Sequence, residues 1–376
     1  MTLDEMRKQK VVSLSPQAAN ITEVERELEL MWEGFRMGYG DEEAVTRACM
    51  SNLVIYCDNA TEAESVRADL PHILFEHPAR VLLLRRGEFC GPQGLCAWVS
   101  VYCSNLGQGL QVCGEEVDVA CEDNPEQRLP SAARSLLIGD LPTTLWWASV
   151  HSPARFGPLF TGLASIADQV IFDSVGWRDP PKDMLALARW SSADQDDQVI
   201  HNLTWRRLKP WRRLLSEEMD PVISPGALEQ VVNIRIEHGP HGMTSAWLLI
   251  GWLADRLGWR VEEGRLLSKS EAQWRFRGRQ GAVEVQVVRL PEGEPVIHRI
   301  DWRWGGGVPG EALFELHENR KLEARMGGGD GCVRDLSLPR QDRATLVAEQ
   351  LAYRYRARSF EQALSASNAM TQALVR

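Results

Sequence analysis

The chain has 376 residues, 44% of them hydrophobic and 25% charged, and a formal charge of −10. That length exceeds the size at which single cores stop growing, so two domains are expected, and the composition is that of a soluble globular protein. The acidic balance argues against sequence-independent nucleic-acid binding, which needs a basic face. The longest apolar run, residues 246–254 (AWLLIGWLA), is about half the roughly 20 residues that span a bilayer. The first residues carry charge but no apolar segment with a small-residue cleavage site, so no secretory signal is read and a cytoplasmic protein without a membrane partner is expected.

Residues 1–20 are polar, lack sustained periodicity and read as a mobile arm. Thr22-Glu23-Val24-Glu25 offers a capping threonine with a carboxylate three residues on, and Val24, Leu28 and Met31 follow at helical spacing, so a helix is expected from Thr22 to Gly34 or Gly38. Residues 49–57 (CMSNLVIYC) read as a buried strand, 61–70 as a helix and 80–84 (RVLLL) as a strand. Strand, helix and strand within about 35 residues predict a parallel crossover unit.

Residues 95–103 and 110–120 are strand-like and joined by an Asn- and Gly-rich turn, a hairpin signal. Five of the eight cysteines, Cys90, Cys96, Cys103, Cys113 and Cys121, fall in this stretch. No C-x-x-C pair supports a zinc or thioredoxin-type site, and no metal site is expected. A turn symmetric about Gln108 sets Cys103 opposite Cys113. The favoured reading is a pair of small buried hydrophobes, as for most cytosolic cysteines. The sharper reading makes Cys103 and Cys113 a reversible cross-strand disulfide and a candidate redox site.

Residues 136–150 read LLIGDLPTTLWWASV. An apolar run ends at Gly139-Asp140, Leu141-Pro142 breaks the backbone, and Trp146-Trp147 follows. Neighbouring strand residues face opposite sides of a sheet, so one ring anchors a core and the other needs a second layer or a partner. Helices are expected at 126–136, 157–165 and 183–190, and a strand at 169–173. Asp140 and Asp173 read as strand-end carboxylates, placed where open α/β sheets bind ligands, with capping as the favoured role.

Residues 202–220 read NLTWRRLKPWRRLLSEEMD. Trp205, Leu208, Trp211 and Leu214 recur every three residues between Arg206, Arg207, Lys209, Arg212 and Arg213. Pro210 predicts a helical turn, a break, and a new helix with proline in its first turn. Aromatics interleaved with arginines bind phosphate or pin two layers through stacked guanidinium planes; the acidic totals favour pinning or a protein contact.

Residues 220–226 (DPVISPG) read as a linker, dividing the chain into the arm, an α/β domain at 21–220 with a mainly parallel or mixed sheet, and an α+β domain at 221–376 with an antiparallel sheet packed on helices. In the latter, a strand at 230–237 precedes an almost wholly apolar helix at 244–259, the central core helix. His238 and His241 have loop or capping roles. Short alternating strands at 272–277, 282–290, 296–304, 312–317, 321–326 and 332–338 argue for the antiparallel sheet. The glycine runs at 305–307 and 327–329 lack the Lys-Ser or Lys-Thr of a phosphate loop and are tight connections. Helices at 340–358 and 360–374 close the chain.

No G-x-S-x-G elbow, G-x-G-x-x-G, P-loop or H-E-x-x-H is present, so no catalytic or cofactor-binding residues are expected. Fourteen tryptophans against five tyrosines add weight to a protein contact, since Trp and Arg are over-represented at interface hot spots. The segments RVLLL, LQVCGEEVDV, LLIGDLPTTLWW, QVIFDS, LTWRRLKPWRRLL and AWLLIGWLADRLGW resemble, in order and spacing, those of the glucose-6-phosphate dehydrogenase assembly protein family, OpcA. The resemblance runs from about residue 46 to 259, above all in DLP-x-x-LWW and LTW-x-RL-x-PWR. It implies a non-catalytic partner of glucose-6-phosphate dehydrogenase that promotes its oligomeric assembly and raises its activity at the NADPH-producing entry to the oxidative pentose phosphate pathway.

The motif residues Asp140, Leu141, Pro142, Trp146, Trp147, Trp205, Arg207, Pro210, Trp211 and Arg212 are the candidate interface. The family's Cys-Cys-Glu-Glu reads Cys113-Gly114-Glu115-Glu116 here, so a vicinal cysteine pair is missing. Two competing readings are an enzyme that binds sugar phosphate or nucleotide through Asp140 and Asp173 with the arginines of residues 206–213, and a purely structural scaffold.

Overall fold

The computed structural model describes residues 10–13, 17–18, 21–38, 44–87, 94–105, 110–191, 198–327, 332–339 and 342–375. Its first half runs β1 (Lys10–Ser13), β2 (Gln17–Ala18), α1 (Ile21–Gly38), β3 (Ala44–Arg47), β4 (Asn52–Cys57), α2 (Ala60–Glu76), β5 (Arg80–Arg86), β6 (Leu95–Asn105), β7 (Leu110–Cys121), α3 (Pro125–Leu136), β8 (Thr143–Trp147), α4 (Gly157–Ala164), β9 (Gln169–Phe172), α5 (Pro180–Ser191) and β10 (Val199–Asn202). Strands β7, β5, β4, β8, β9 and β10 lie side by side and parallel. Numbered by their order in the chain, these six stand 3-2-1-4-5-6, the order of the doubly wound dinucleotide-binding fold. Their near-continuous burial follows from helices on both faces.

The crossover unit expected around 49–84 is present, with β4 and β5 parallel about α2. The hairpin is present too, β6 against β7 with Cys103 opposite Cys113; residues 106–109 of its turn lie outside the described residues. Part of the expected arm is strand, since β1 and β2 both pair antiparallel with β6. Residues 1–9, 14–16 and 19–20 of that arm lie outside the described residues. Strands β3 and β10 carry too few residues for alternation to mark them.

The second half continues with α6 (Leu203–Arg207), α7 (Lys209–Glu218), β11 (Val231–His238), α8 (Met243–Leu257), β12 (Arg260–Ser268), β13 (Glu271–Arg277), β14 (Ala282–Arg289), β15 (Ile297–Trp304), β16 (Gly310–Leu316), β17 (Lys321–Met326), β18 (Cys332–Ser337), α9 (Arg343–Leu351) and α10 (Arg358–Val375). The sheet order is β12-β13-β14-β11-β15-β16-β17-β18. It is antiparallel apart from the parallel β11–β14 pair. Helix α8 is buried on almost every side, because α10 lies along its other flank. At Gly251 a side chain would stand 2.3 Å from the Ala363 carbonyl, so glycine permits this approach. Pro210 sits in the first turn of α7, after the break that follows α6. The Gly305–307 run joins β15 to β16; of the second run only Gly327 is described.

The chain beyond the 220–226 turn also builds part of the first layer. Helix α9 covers one face of the parallel sheet: Leu346, Val347 and Leu351 share a core with Leu53, Val66, Ile73 and Trp146. Arg343 pairs with Asp69 of α2 at 2.5 Å and bonds Ser65, while Gln169 Nε2 donates to the carbonyls of Gln350 and Tyr353.

The two adjacent tryptophans follow the strand period. Trp146 belongs to the core under α2 and α9, with the Arg343 guanidinium 5.7 Å above its ring. Trp147 points the other way, stacked on Tyr56 at 4.2 Å and flanked by Phe156 and Phe160 at 5.1 and 5.3 Å. Its Nε1 donates to the His151 carbonyl at 2.9 Å. Both rings are 1% exposed and are covered by the chain itself. Trp147→Ala is expected to lower stability by about 3–5 kcal/mol, read as a shifted denaturant midpoint; an unchanged midpoint with lost partner binding would instead place the ring at an interface.

Candidate functional site

In a doubly wound sheet, ligands bind beyond the carboxyl ends of the strands where the order reverses, here β4 and β8. A dinucleotide there needs a glycine-rich turn and free helix amides to receive its pyrophosphate. The β4–α2 turn is Cys57-Asp58-Asn59-Ala60, without glycine. Asn59 Oδ1 accepts the Glu62 amide at 2.9 Å, and Glu62 Oε2 accepts the Asp58 amide at 2.7 Å. Glu62 Oε1 crosses the reversal point to accept the Val150 amide at 3.1 Å. Asp58 is held by the Tyr56 hydroxyl at 3.1 Å, Arg86 at 3.6 Å and His151 at 3.9 Å. The Glu62 carboxylate and the Asn59 side chain therefore take up the amides at the start of α2 and across the reversal point that a pyrophosphate would need. These residues do not fit a dinucleotide.

The first motif turns the chain into β8. Asn52 at the start of β4 donates to the carbonyls of Ile138 and Leu141, and its Oδ1 accepts the Ile138 amide. Its own amide bonds the Pro142 carbonyl at 3.0 Å. Asp140 is exposed with φ +64°, a conformation aspartate tolerates better than most residues. The expected strand end at Asp140 is instead a turn after α3: Leu136 closes that helix, and β8 begins only at Thr143. Asp140 thus precedes its strand while Asp173 follows β9. Because β8 and β9 are parallel, the two carboxylates stand at opposite ends of the sheet, on the order of 15 Å apart. The catalytic pair of the enzyme reading is not assembled.

Asp173 does meet the second motif. It accepts from Thr204 Oγ1 at 3.0 Å and pairs with Arg207 at 2.7 Å. Asn202 caps α6 through the Thr204 amide, and Ser174 bonds both Asn202 and Thr204. Thr244 of α8 reaches the Ser174 carbonyl at 3.1 Å, so this polar cluster fastens the two sheets together. Each arginine of the motif then has its own task. Arg206 pairs with Glu349 of α9 and Arg213 with Glu217. Arg212 lies on the Trp205 ring at 3.6 Å and donates to the Trp205 carbonyl, with no ion-pairing carboxylate among the described residues. Burial pulls its pKa down to about 10. Trp205 itself faces Phe360 of α10, and the rings around Trp147 come from Tyr56, Phe156 and Phe160. Trp205 and Trp211, both buried, therefore pin α10 and the second sheet rather than clasp the earlier tryptophan pair.

Sequence reasoning missed the charges around β7. Glu115, fully buried, accepts from Trp32 at 2.8 Å, Arg47 at 2.9 Å and Arg80 at 2.6 Å. Burial alone would raise its pKa, but the hydrogen bond from Arg47 and the charge of Arg80 outweigh that and hold the carboxyl below its ordinary range. Glu116 and Asp118 are raised by burial, although Tyr102 and Arg67 contact the first and Arg85 and Arg67 the second. The alternation Glu115-Val117-Val119 against Glu116-Asp118 was the available signal, but acidic residues in a strand read as a solvent face. One step away, Cys103 and Cys113 are bonded, with Cα atoms 4.0 Å apart, which corrects the favoured reading of two free buried thiols. Cys96 is disulfide-bonded as well. At Gly114, a Cβ would stand 3.0 Å from the Ala79 carbonyl, so this backbone is packed around glycine where the family motif places a second cysteine.

Two models of one family match the chain in tandem: the glucose-6-phosphate dehydrogenase subunit N-terminal domain over residues 71–189 and its C-terminal domain over 198–364. The chain belongs to the OpcA family. A relative from Nostoc punctiforme named for the OxPP cycle protein OpcA is 32% identical over 192 residues, which is 50% of this chain and 40% of that protein. Its counterpart from Synechococcus elongatus is 27% identical over 229 residues, 59% of this chain and 50% of that protein. The chain thus matches half or less of the length of these relatives. In fold it is similar to an oxidoreductase from Sinorhizobium meliloti, at 13% identity with a TM-score of 0.51 over 88% of this chain and 97% of the other. A protein of Parabacteroides merdae gives the same TM-score at 9% identity over 88% and 98%. No helix among the described residues is long and apolar enough to cross a membrane.

Glu115→Gln is expected to cost about 3–5 kcal/mol at neutral pH, since it leaves buried arginines short of charge. The carboxyl is depressed below its unfolded value of 4.5, so its contribution is full above that value and is lost as pH falls through the folded pKa. Denaturant midpoints of the wild type and the variant should therefore converge in acid. Cys103→Ser is expected to cost about 3 kcal/mol, the loop-closure value for a short crosslinked loop, in chemical denaturation without reductant; under reductant the wild type should approach the variant.

Proposed function

We propose that the chain is a non-catalytic partner of glucose-6-phosphate dehydrogenase that binds and stabilises the active assembly of that enzyme. Family membership supports the partner, and the OxPP-cycle naming of its relatives supports the pathway. The observation that carries the non-catalytic reading is the reversal point, where the Glu62 carboxylate accepts the Asp58 and Val150 amides that a pyrophosphate would need. An activator shifts its target only by binding the active form more tightly than the inactive one. The effect is thus a tighter oligomer, a lower Michaelis constant for glucose 6-phosphate, or both. The Cys103–Cys113 bond makes the contact sensitive to thiol state.

Within the two motifs, the buried tryptophans build the frame and Arg212 provides the contact. Its half-buried guanidinium is fixed on Trp205 with no ion-pairing carboxylate among the described residues, beside half-buried Pro210 and exposed Lys209. Aromatic-backed arginines of this kind are typical interface anchors. The test mixes the purified chain with the dehydrogenase of the same organism and records co-elution and sugar-phosphate dependence. Co-elution with a changed dependence is expected, and Arg212→Gln should weaken association about tenfold or more while the chain stays folded. Absence of both co-elution and a kinetic change defeats the proposal, as does dehydrogenase turnover by this chain alone.

A further inference from the structure

A cavity of about 400 Å3 opens where the second motif meets the second sheet, within the range of small-molecule sites. Arg207, Trp211, Ser245, His298, His317 and Arg320 contribute to its wall. Its motif side follows β10 and adjoins Asp173, just after β9. The cavity therefore lies beyond the carboxyl ends of parallel strands and at a junction between sheets, both preferred places for ligands. This is also the part of the second motif that the partner reading leaves unused.

The chemistry of the wall favours an anion. Arg207 is fixed by its fork on Asp173, and Arg320 donates to the Pro339 carbonyl at 3.1 Å. His317 lines the cavity with its side chain about one-third exposed, while its Nε2, without a hydrogen bond, lies 3.6 Å from the Glu323 carboxylate. Helix α8 follows Gly242 with no side-chain cap, and Ser245 of its first turn lines the cavity. The positive end of the helix dipole adds positive character there, although the Ser245 amide itself is bonded to the Gly242 carbonyl. The two acids of the lining, Glu294 and Glu318, are exposed, as is Arg320, and the bond Glu294 makes to His298 uses its backbone carbonyl. Trp211 supplies an apolar face 4% exposed.

We infer that this cavity binds a small hydroxylated phosphate ester, with the phosphate against Arg320, His317 and the start of α8 and the body against Trp211. The inference is independent of the dehydrogenase contact and is tested without that enzyme. The full chain is titrated calorimetrically with a hexose monophosphate, inorganic phosphate and the free hexose. Saturable binding of the ester is expected, weaker binding of phosphate and none of the free sugar. Arg320→Gln should weaken the ester about tenfold, the worth of one charge-assisted hydrogen bond, without moving the melting temperature of the free chain. Arg265→Gln, on β12 and outside the cavity, should leave binding intact. No saturable binding of either phosphate compound overturns the inference, as does binding unaffected when Arg320→Gln and His317→Ala are combined. Equal binding of phosphate and ester removes the ester assignment.

Discussion

The rest of the structure depends on the two-residue period of one central strand. In β8 that period sends Trp146 and Trp147 to opposite faces, and two indoles of that size leave neither face free to meet water. On one side Tyr56, Phe156 and Phe160 close over Trp147. On the other, the cover for Trp146 includes α9, from the last part of the chain. The parallel sheet is therefore finished by a segment that arrives only after the second sheet has been built.

The same strand borders the point at which the sheet order reverses, so its packing also shapes the crevice. Glu62 spans from α2 to the turn after β8 and ties the two lips together. The chain shares its fold with oxidoreductases, while the polar groups of this crevice satisfy one another; fold by itself does not decide chemistry. The charges around β7 work likewise. Arginines from three neighbouring elements neutralise carboxylates that a lone strand could not bury, and they fasten α2, β3 and β5 to the hairpin that holds the disulfide.

Much of this was legible from residue order. Continuous apolar runs marked β4 and β5, Pro210 located the break between α6 and α7, and turn symmetry placed Cys103 opposite Cys113. Each of these is a local rule of backbone geometry or side-chain period. The failures were non-local. Asp140 and Asp173 looked equivalent because each follows an apolar run, yet one run ends a helix and the other a strand. Strands β3 and β10 were missed because four residues give alternation too little length to register.

The sequence by itself determined the two-sided burial of the tryptophan pair, the segmentation into a parallel and a largely antiparallel sheet, and the family, since periodicity and motif spacing are properties of the chain. Only the tertiary structure decided which carboxylate meets which arginine, that α9 returns to cover Trp146, and that the second motif walls a cavity. Those outcomes depend on distances between segments far apart in the chain, and such distances are fixed by how the layers pack rather than by any local preference.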